Sequence, residues 1–206
     1  MIECHFAVLM AGAVLNTINT RLDPESIKFI LQHGEAKAIF VDPEYLNIVE
    51  KALKSFSSNT KPLIINCPDE EFIKSKYKKN EFTLKKLIKK ADKNFKVIWP
   101  KDEWDACSLN YTSGTTGDPK GVVYHHRGAW LTSISNQMVW EMQKHPKYLW
   151  TLPMFHCNGW CFPWTITAMA GIHVCLRKVE AKYIYNAIKK HNISHFCGAP
   201  IVLSML

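Results

Sequence analysis

A loop rich in glycine and hydroxyl side chains carries the most specific chemistry of this sequence. It covers residues 111–122 and reads YTSGTTGDPKGV. Gly114 and Gly117 let backbone N–H groups approach an anion closely, and Lys120 supplies a full positive charge. Four hydroxyls can donate to phosphate oxygens or contact a metal ion, those of Thr112, Ser113, Thr115 and Thr116. This composition predicts a phosphate-binding loop.

The spacing of the loop excludes the two common nucleotide-binding fingerprints. A Walker A loop requires Gly-Lys followed by Ser or Thr, whereas Pro119 precedes Lys120 here and Gly121 follows it. The Rossmann pattern G-x-G-x-x-G fails because Gly114 and Gly117 are three positions apart. A hairpin turn is the alternative, but such turns need only about two to five residues and no lysine.

A second motif, LPMFHCNGW at residues 152–160, places His156 and Trp160 in an apolar stretch. A histidine or a large aromatic residue in such a stretch is more often part of the core than of a site. A metal site at His156, Cys157 and Cys161 is disfavoured, because C-x3-C is not a usual zinc spacing. The seven cysteines lack a C-x-x-C pair and therefore favour a reducing compartment, which we expect to be the cytoplasm.

Short apolar runs typical of strands alternate with stretches of helical periodicity, so the sequence predicts an α/β fold with largely parallel sheet layers flanked by helices. The predicted strands cover residues 14–19, 37–41, 62–66, 106–111, 121–124, 148–152, 172–176 and 193–197. The predicted helices cover residues 5–13, 24–33, 44–56, 83–91, 128–143, 159–169 and 180–191. His125 and His126, after the strand that follows the loop, are interpreted as structural.

One lysine-rich stretch makes the chain basic. Eleven lysines and two acidic residues lie between Lys74 and Lys101, enough to account for the net charge of +8. A nucleic-acid or membrane surface is one interpretation. The stretch contains no recognisable nucleic-acid-binding motif, so we favour a solvated helix over residues 83–91 and expect no nucleic-acid partner. In that helix the apolar residues expected to turn inward are Leu84, Leu87 and Ile88.

The longest uncharged stretch covers residues 148–176, which is long enough to span a bilayer. Proline, glycine and histidine interrupt it repeatedly. We therefore predict a buried strand–turn–helix–strand there, and no transmembrane segment.

The two motifs together resemble those of the adenylate-forming superfamily, which includes acyl-CoA synthetases, aryl-CoA ligases, luciferases and peptide-synthetase adenylation domains. Residues 111–122 resemble its signature loop, and residues 152–160 resemble its P-M-F-H-x-N-x-W motif. Residues 11–42 and 198–206 are also similar to this superfamily, nearest its medium- and long-chain fatty acyl-CoA synthetase branch.

The resemblance implies a fatty acid–CoA ligase that uses ATP, Mg²⁺ and coenzyme A. A carboxylic acid would form acyl-AMP, and the thiol of coenzyme A would then displace AMP. Lys120 would stabilise the departing pyrophosphate, His156 would lie beside the adenylate and the carboxylate, and Trp160 would gate the acyl tunnel. Thr112 would also contact Mg²⁺. The residues that would surround the β- and γ-phosphates are Thr112, Ser113, Gly114, Thr115, Thr116 and Gly117.

Complete members of the superfamily are more than twice as long as this chain. Their G-Y-G-x-T-E-type motif, ribose-binding Asp and small C-terminal domain are absent from residues 1–206. We therefore expect these residues to be an incomplete part of the N-terminal, AMP-binding domain, inactive on its own. The alternative is a truncated stand-alone module that binds ATP or a partner without ligase activity. The acid and the oligomeric state, monomer or homodimer, stay open.

Overall fold

The computed structural model describes residues 1–69, 82–112 and 119–206, and strands alternate with helices along them. The strands are β1 (Leu15–Thr17), β2 (Ala38–Val41), β3 (Leu63–Asn66), β4 (Ala106–Thr112), β5 (Lys120–His125), β6 (Lys147–Trp150), β7 (Ile172–Cys175) and β8 (His195–Phe196). The helices are α1 (Ile2–Met10), α2 (Pro24–His33), α3 (Leu46–Ala52), α4 (Leu84–Lys90), α5 (His126–Val139), α6 (Cys157–Trp160), α7 (Phe162–Ala168), α8 (Ala181–His191) and α9 (Pro200–Leu203).

The strands form three small sheets, with the orders β1-β4-β5, β2-β3 and β7-β6-β8. The pairs β1/β4, β2/β3, β6/β7 and β6/β8 are parallel, and in the first of them Thr17 lies opposite Asn110. The predicted α/β class with parallel strands is confirmed. The chain divides into a first unit, residues 1–17, 98–110 and 122–206, and a second unit, residues 18–97 and 111–121.

The second unit is built around the β2-β3 pair and the helices α2 and α3. Asp23 caps α2, because its carboxylate accepts hydrogen bonds from the backbone N–H groups of Glu25 and Ser26. Pro24 occupies the first turn, where its missing N–H costs nothing. The apolar faces of both helices meet in a core that contains Ile27, Leu31, Val41, Val49 and Leu53.

In the first unit, β6 is buried on both faces. Tyr148 and Trp150 pack with Phe162 and Ile166 in one cluster, whereas Leu149, between them, packs with Ile184 and Val202 in another. Alternate residues of a strand point to opposite sides of a sheet, so a fully apolar strand serves two cores. The strand–turn–helix–strand predicted for residues 148–176 is confirmed, and no helix in the described ranges is long and apolar enough to cross a membrane.

Several predicted helix boundaries are wrong; the helix predicted over residues 128–143, for example, ends at Val139. The helix predicted over residues 5–13 ends at Met10, because Gly12 adopts φ +68° and turns the chain away. The helix predicted over residues 159–169 begins only at Phe162, with Pro163 in its first turn. Before Phe162 the backbone is left-handed, so α6 is a single left-handed turn and not the start of α7.

The lysine-rich helix is confirmed only in part. α4 is capped by the Thr83 hydroxyl, which accepts from the N–H of Lys86 at 3.3 Å. Its four lysines are exposed, as predicted for a solvated face. The prediction that Ile88 turns inward is wrong, because this residue is 61% exposed. Lys74, Lys76, Lys78 and Lys79 lie outside the described residues.

Candidate active site

The two ends of the phosphate-type loop lie on strands. Thr112 is the last residue of β4 and Lys120 the first of β5, and both are exposed. The loop residues between them that were predicted to surround phosphate lie outside the described residues, namely Ser113, Gly114, Thr115, Thr116 and Gly117. The structure therefore gives strand positions to Thr112 and Lys120 alone.

Tyr111, the first residue of the loop motif, is held against α2. Its hydroxyl lies 2.7 Å from Nδ1 of His33, and its ring makes an edge contact with Phe29, 6.4 Å between centroids. Burial raises the pKa of Tyr111, so its phenol keeps the proton that it can donate to His33. Sequence reasoning missed this anchor. The available signal was the Phe29–His33 pair, four residues apart on one helix face.

His156 stands at the entrance of a strained turn. From Cys157 to Cys161 all five residues have positive φ, between 44° and 62°. Left-handed backbone costs about 1–2 kcal/mol for each residue other than glycine, and such strain concentrates at functional sites. The peptide N–H of Gly159 donates to the carbonyl of His156 at 2.9 Å, so the turn holds His156 by its backbone while leaving the side chain exposed.

Packing selects glycine inside this turn. Gly159 adopts φ +57°, and a Cβ there would come within 2.9 Å of Cζ3 of Trp150. The ring of Trp150 is itself fixed, because its Nε1–H donates to Nδ1 of His173 at 3.0 Å. The turn therefore sits directly on an immobilised aromatic ring of β6.

The carbonyl just before His156 is also fixed. Thr17 Oγ1 on β1 lies 3.0 Å from the backbone oxygen of Phe155 and 3.0 Å from Oδ1 of Asn110 on β4. Thr17 and Asn110 are both buried. The β1/β4 pair therefore positions the second motif through a side-chain hydroxyl.

A cleft of about 430 Å³ lies between the end of β5, α5 and the left-handed turn. Trp160 forms part of its wall and is 56% exposed, whereas the described lining does not include His156. The lining includes Tyr124, Asn136, Cys157, Trp160 and Cys161.

Burial favours the neutral form of two titratable side chains of this cleft, Cys161 and Tyr124. Burial, reinforced by Cys107 and Cys157, raises the pKa of Cys161 to about 12. Burial also raises the pKa of the Tyr124 phenol, with a smaller contribution from Cys157. An uncharged wall of this kind suits an apolar group better than a charged one. Within the described ranges, no group of three or more His, Cys, Asp or Glu residues is arranged to hold a metal ion.

His125 has the structural role that was predicted for it. Its Nδ1 accepts a hydrogen bond from the backbone N–H of Gly128 at 2.9 Å and so caps α5. Its ring packs against Trp104 with centroids 4.6 Å apart. These contacts fix the start of the helix that forms one side of the cleft.

The profile of a protein family described as AMP-binding enzyme matches residues 1–206, the whole chain. The chain belongs to this family. Membership accounts for the loop of residues 111–122, whose hydroxyls, glycines and lysine are suited to phosphate, and it agrees with the resemblance drawn from the two motifs.

Curated relatives within the AMP-binding enzyme family are named as CoA ligases. The chain is 44% identical over 215 residues to the peroxisomal acetate/butyrate–CoA ligase AAE7 of Arabidopsis thaliana, covering 100% of this chain and 38% of the relative. It is 47% identical over 210 residues to the 2-methylpropanoate–CoA ligase CCL4 of Humulus lupulus, with the same coverage of 100% and 38%. The chain thus spans about two fifths of the length of these relatives.

A solved structure supports the fold of this AMP-binding chain. The o-succinylbenzoate coenzyme A synthetase MenE from Bacillus subtilis, in complex with ATP and magnesium ion, matches with a TM-score of 0.78 at 18% identity. The match covers 99% of this chain and 38% of that one. At this identity the likeness establishes the architecture alone.

Proposed function

We propose that the complete protein containing this chain is an AMP-forming acid–CoA ligase. The observation that carries the proposal is the loop of residues 111–122, whose glycines, hydroxyls and Lys120 are suited to phosphate. The family match over residues 1–206 and the CoA ligase names of the relatives support it. The chain would be part of the N-terminal domain, consistent with its 38% coverage of these relatives.

The proposed reaction has two steps. A carboxylate oxygen of the acid forms a bond to the α-phosphorus of ATP as the bond to pyrophosphate breaks, which gives acyl-AMP. The thiol sulfur of coenzyme A then bonds to the acyl carbon as the bond to AMP breaks, and the thiol proton leaves to solvent. Both steps move negative charge onto a phosphate leaving group, which is where a positioned cation stabilises the transition state most.

The residues of the loop would bind the phosphates. Lys120 is exposed at the start of β5, where its ammonium can reach a departing pyrophosphate, and the exposed hydroxyl of Thr112 can donate to a phosphate oxygen. Ser113, Gly114, Thr115, Thr116 and Gly117 complete the proposed loop. A bound Mg²⁺ would neutralise phosphate charge, and oxygen donors such as the Thr112 hydroxyl fit its preference for hard ligands.

The acid is proposed to place its tail in the cleft. A volume of about 430 Å³ whose described lining contains no Asp, Glu, Lys or Arg suits a compact apolar group. We propose that His156 lies beside the carboxylate and that Trp160 limits the length of the tail. The fatty-acyl preference suggested by the motifs stays a prediction, because the two relatives are named for acetate, butyrate and 2-methylpropanoate.

The cysteines and one relative bear on where in the cell the protein is located. The seven cysteines lack the spacing of a disulfide framework, which supports a reducing compartment. We propose the cytoplasm, with the peroxisome as the alternative raised by the name of one relative. Imaging the full-length protein with a fluorescent tag placed internally, away from both termini, distinguishes the two.

The test is to incubate the full-length protein with ATP, Mg²⁺, coenzyme A and one acid at a time, and to measure AMP and acyl-CoA by mass spectrometry. Acetate, butyrate, octanoate and cinnamate cover short, medium and aryl acids. Acid-dependent formation of AMP and acyl-CoA in equal amounts is expected. Nucleotide binding without acyl-CoA from any acid would contradict the ligase and favour the alternative of an ATP-binding module.

A further inference from the structure

We infer that Asn136 determines acid specificity by holding the left-handed turn of residues 157–161 and thereby fixing how far Trp160 closes the cleft. The inference rests on the proposed ligase function for its consequence in catalysis. The claim that Asn136 restrains the turn depends only on the hydrogen bonds of its side chain and not on the ligase function.

Asn136 connects α5 to the turn with its side-chain amide. Its Nδ2 donates to the backbone carbonyl of Trp160 at 2.8 Å and lies 3.3 Å from Oγ1 of Thr165 on α7. An amide nitrogen carries two hydrogens, so both bonds form at once. The same residue lines the cleft beside Trp160.

Thr165 cannot replace this connection. Its hydroxyl lies 3.1 Å from the carbonyl of Cys161 and 3.2 Å from that of Ser133. A hydroxyl has a single proton, so it donates fully to only one of the two and accepts the bond from Asn136. Thr165 therefore restrains the end of the turn, while Asn136 holds the Trp160 carbonyl within it.

The turn needs such a restraint because it is strained. Four of its five left-handed residues are not glycine, and each costs about 1–2 kcal/mol relative to ordinary backbone. Without the bond from Asn136, the peptide after Trp160 is free to rotate toward negative φ. The Trp160 side chain would then move with its Cα, and this part of the wall would retreat from the cleft.

Asparagine is also a poor choice for the interior of a helix unless its side chain is used. Asn136 lies three residues before the end of the 14-residue α5, where a leucine or alanine would favour the helix by several tenths of a kcal/mol. Its amide donors both point to the turn and its neighbours. Because this polar side chain lies at the edge of an apolar cleft and binds the turn, its role is to position Trp160 in the cleft wall.

The test uses three variants of the full-length protein. Asn136→Ala removes the amide, Asn136→Asp keeps its shape but loses both donors, and Ser135→Ala is the control at the exposed neighbouring position on α5. For both Asn136 variants we expect the ratio of kcat/KM for octanoate to that for butyrate to rise about tenfold, a typical value for fit in an apolar pocket. The KM for ATP and all constants of Ser135→Ala should stay unchanged.

A second measurement does not depend on ligase activity. Cys161 is 4% exposed inside the turn and Cys107 is fully buried on β4. In both Asn136 variants, alkylation of Cys161 by N-ethylmaleimide should accelerate about tenfold while Cys107 stays protected, because only the turn opens. Mass spectrometry of the labelled peptides gives both rates in one sample.

The outcomes separate the inference from the proposed function. Faster labelling of Cys161 alone in a protein that forms no acyl-CoA would support the hold of Asn136 on the turn and contradict the ligase. An unchanged Cys161 rate, or equal acceleration at Cys107, would overturn the positioning role. In an active ligase, equal losses with both acids would overturn the specificity role.

Discussion

The hydroxyl oxygen of Thr17 lies 3.0 Å from the backbone carbonyl oxygen of Phe155, 138 residues further along the chain. Thr17 belongs to β1 of the first unit, and Phe155 immediately precedes His156. One buried side chain thus ties the parallel β1/β4 pair to the second sequence motif.

Replacing Thr17 with valine keeps its shape and removes this hydrogen bond. The partly buried carbonyl oxygen of Phe155 would lose a hydrogen-bond partner, which lowers the free energy of unfolding by about 1 kcal/mol. Urea unfolding of the full-length protein measures this loss, and Thr17→Ser, which keeps the hydroxyl, should recover most of it. A valine variant as stable as wild type would show that the hydrogen bond has no such role.

Removing the ring of Trp160 should change which acids are used. Trp160→Ala enlarges the cleft, so kcat/KM for octanoate relative to butyrate should rise about tenfold. Trp130→Ala, at a tryptophan that is 64% exposed on α5 and absent from the described lining of the cleft, is the matched control. Equal effects of Trp160→Ala on acids of every length would rule out its role as a gate.

Stability should fall as the pH falls through the range in which histidine titrates. Burial lowers the pKa of His173, and its Nδ1 accepts a hydrogen bond from Trp150, which a protonated ring could not do. The folded state therefore binds fewer protons than the unfolded chain, so the stabilisation is complete above about pH 6.5 and declines below it. Burial lowers the pKa of His5 as well, which adds in the same direction.

The check is the free energy of unfolding of the full-length protein at pH 7.5 and 5.5. His173→Gln should reduce the difference between the two values, by less than about 1.4 kcal/mol per pH unit for one proton. His191→Gln, at an exposed position at the end of α8, should leave it unchanged. A difference that is the same in wild type and His173→Gln would show that His173 is not responsible.

The sequence was sufficient to predict those helices and strands whose positions are determined by residues close together along the chain. The cap at Asp23, with Pro24 after it, correctly predicted the start of α2, because capping depends on residues within one turn. Apolar runs correctly predicted parallel strands such as β6, since burial on both faces leaves no alternation.

The left-handed turn could not be predicted in this way. Apolar periodicity continues through residues 159–169 and favours one helix, yet the backbone before Phe162 is decided by distant partners. The ring of Trp150 lies against Gly159, and the amide of Asn136 holds the carbonyl of Trp160. Neither contact can be recognised from the residues that surround the turn in the sequence. The loop of residues 111–122, in contrast, was recognised because its composition alone indicates phosphate chemistry.

The most direct test of the account is acid-dependent ATP–pyrophosphate exchange by the full-length protein, compared between wild type and Lys120→Ala. Lys120 would stabilise the departing pyrophosphate, so its loss should slow exchange about 10²–10³-fold, as expected for one transition-state contact. Lys144→Ala, at another exposed lysine, should exchange like wild type. Exchange that requires a carboxylic acid and fails in Lys120→Ala is the predicted result. Absence of exchange with every acid would contradict the proposed ligase function. Exchange at the wild-type rate in Lys120→Ala would contradict the proposed role of Lys120.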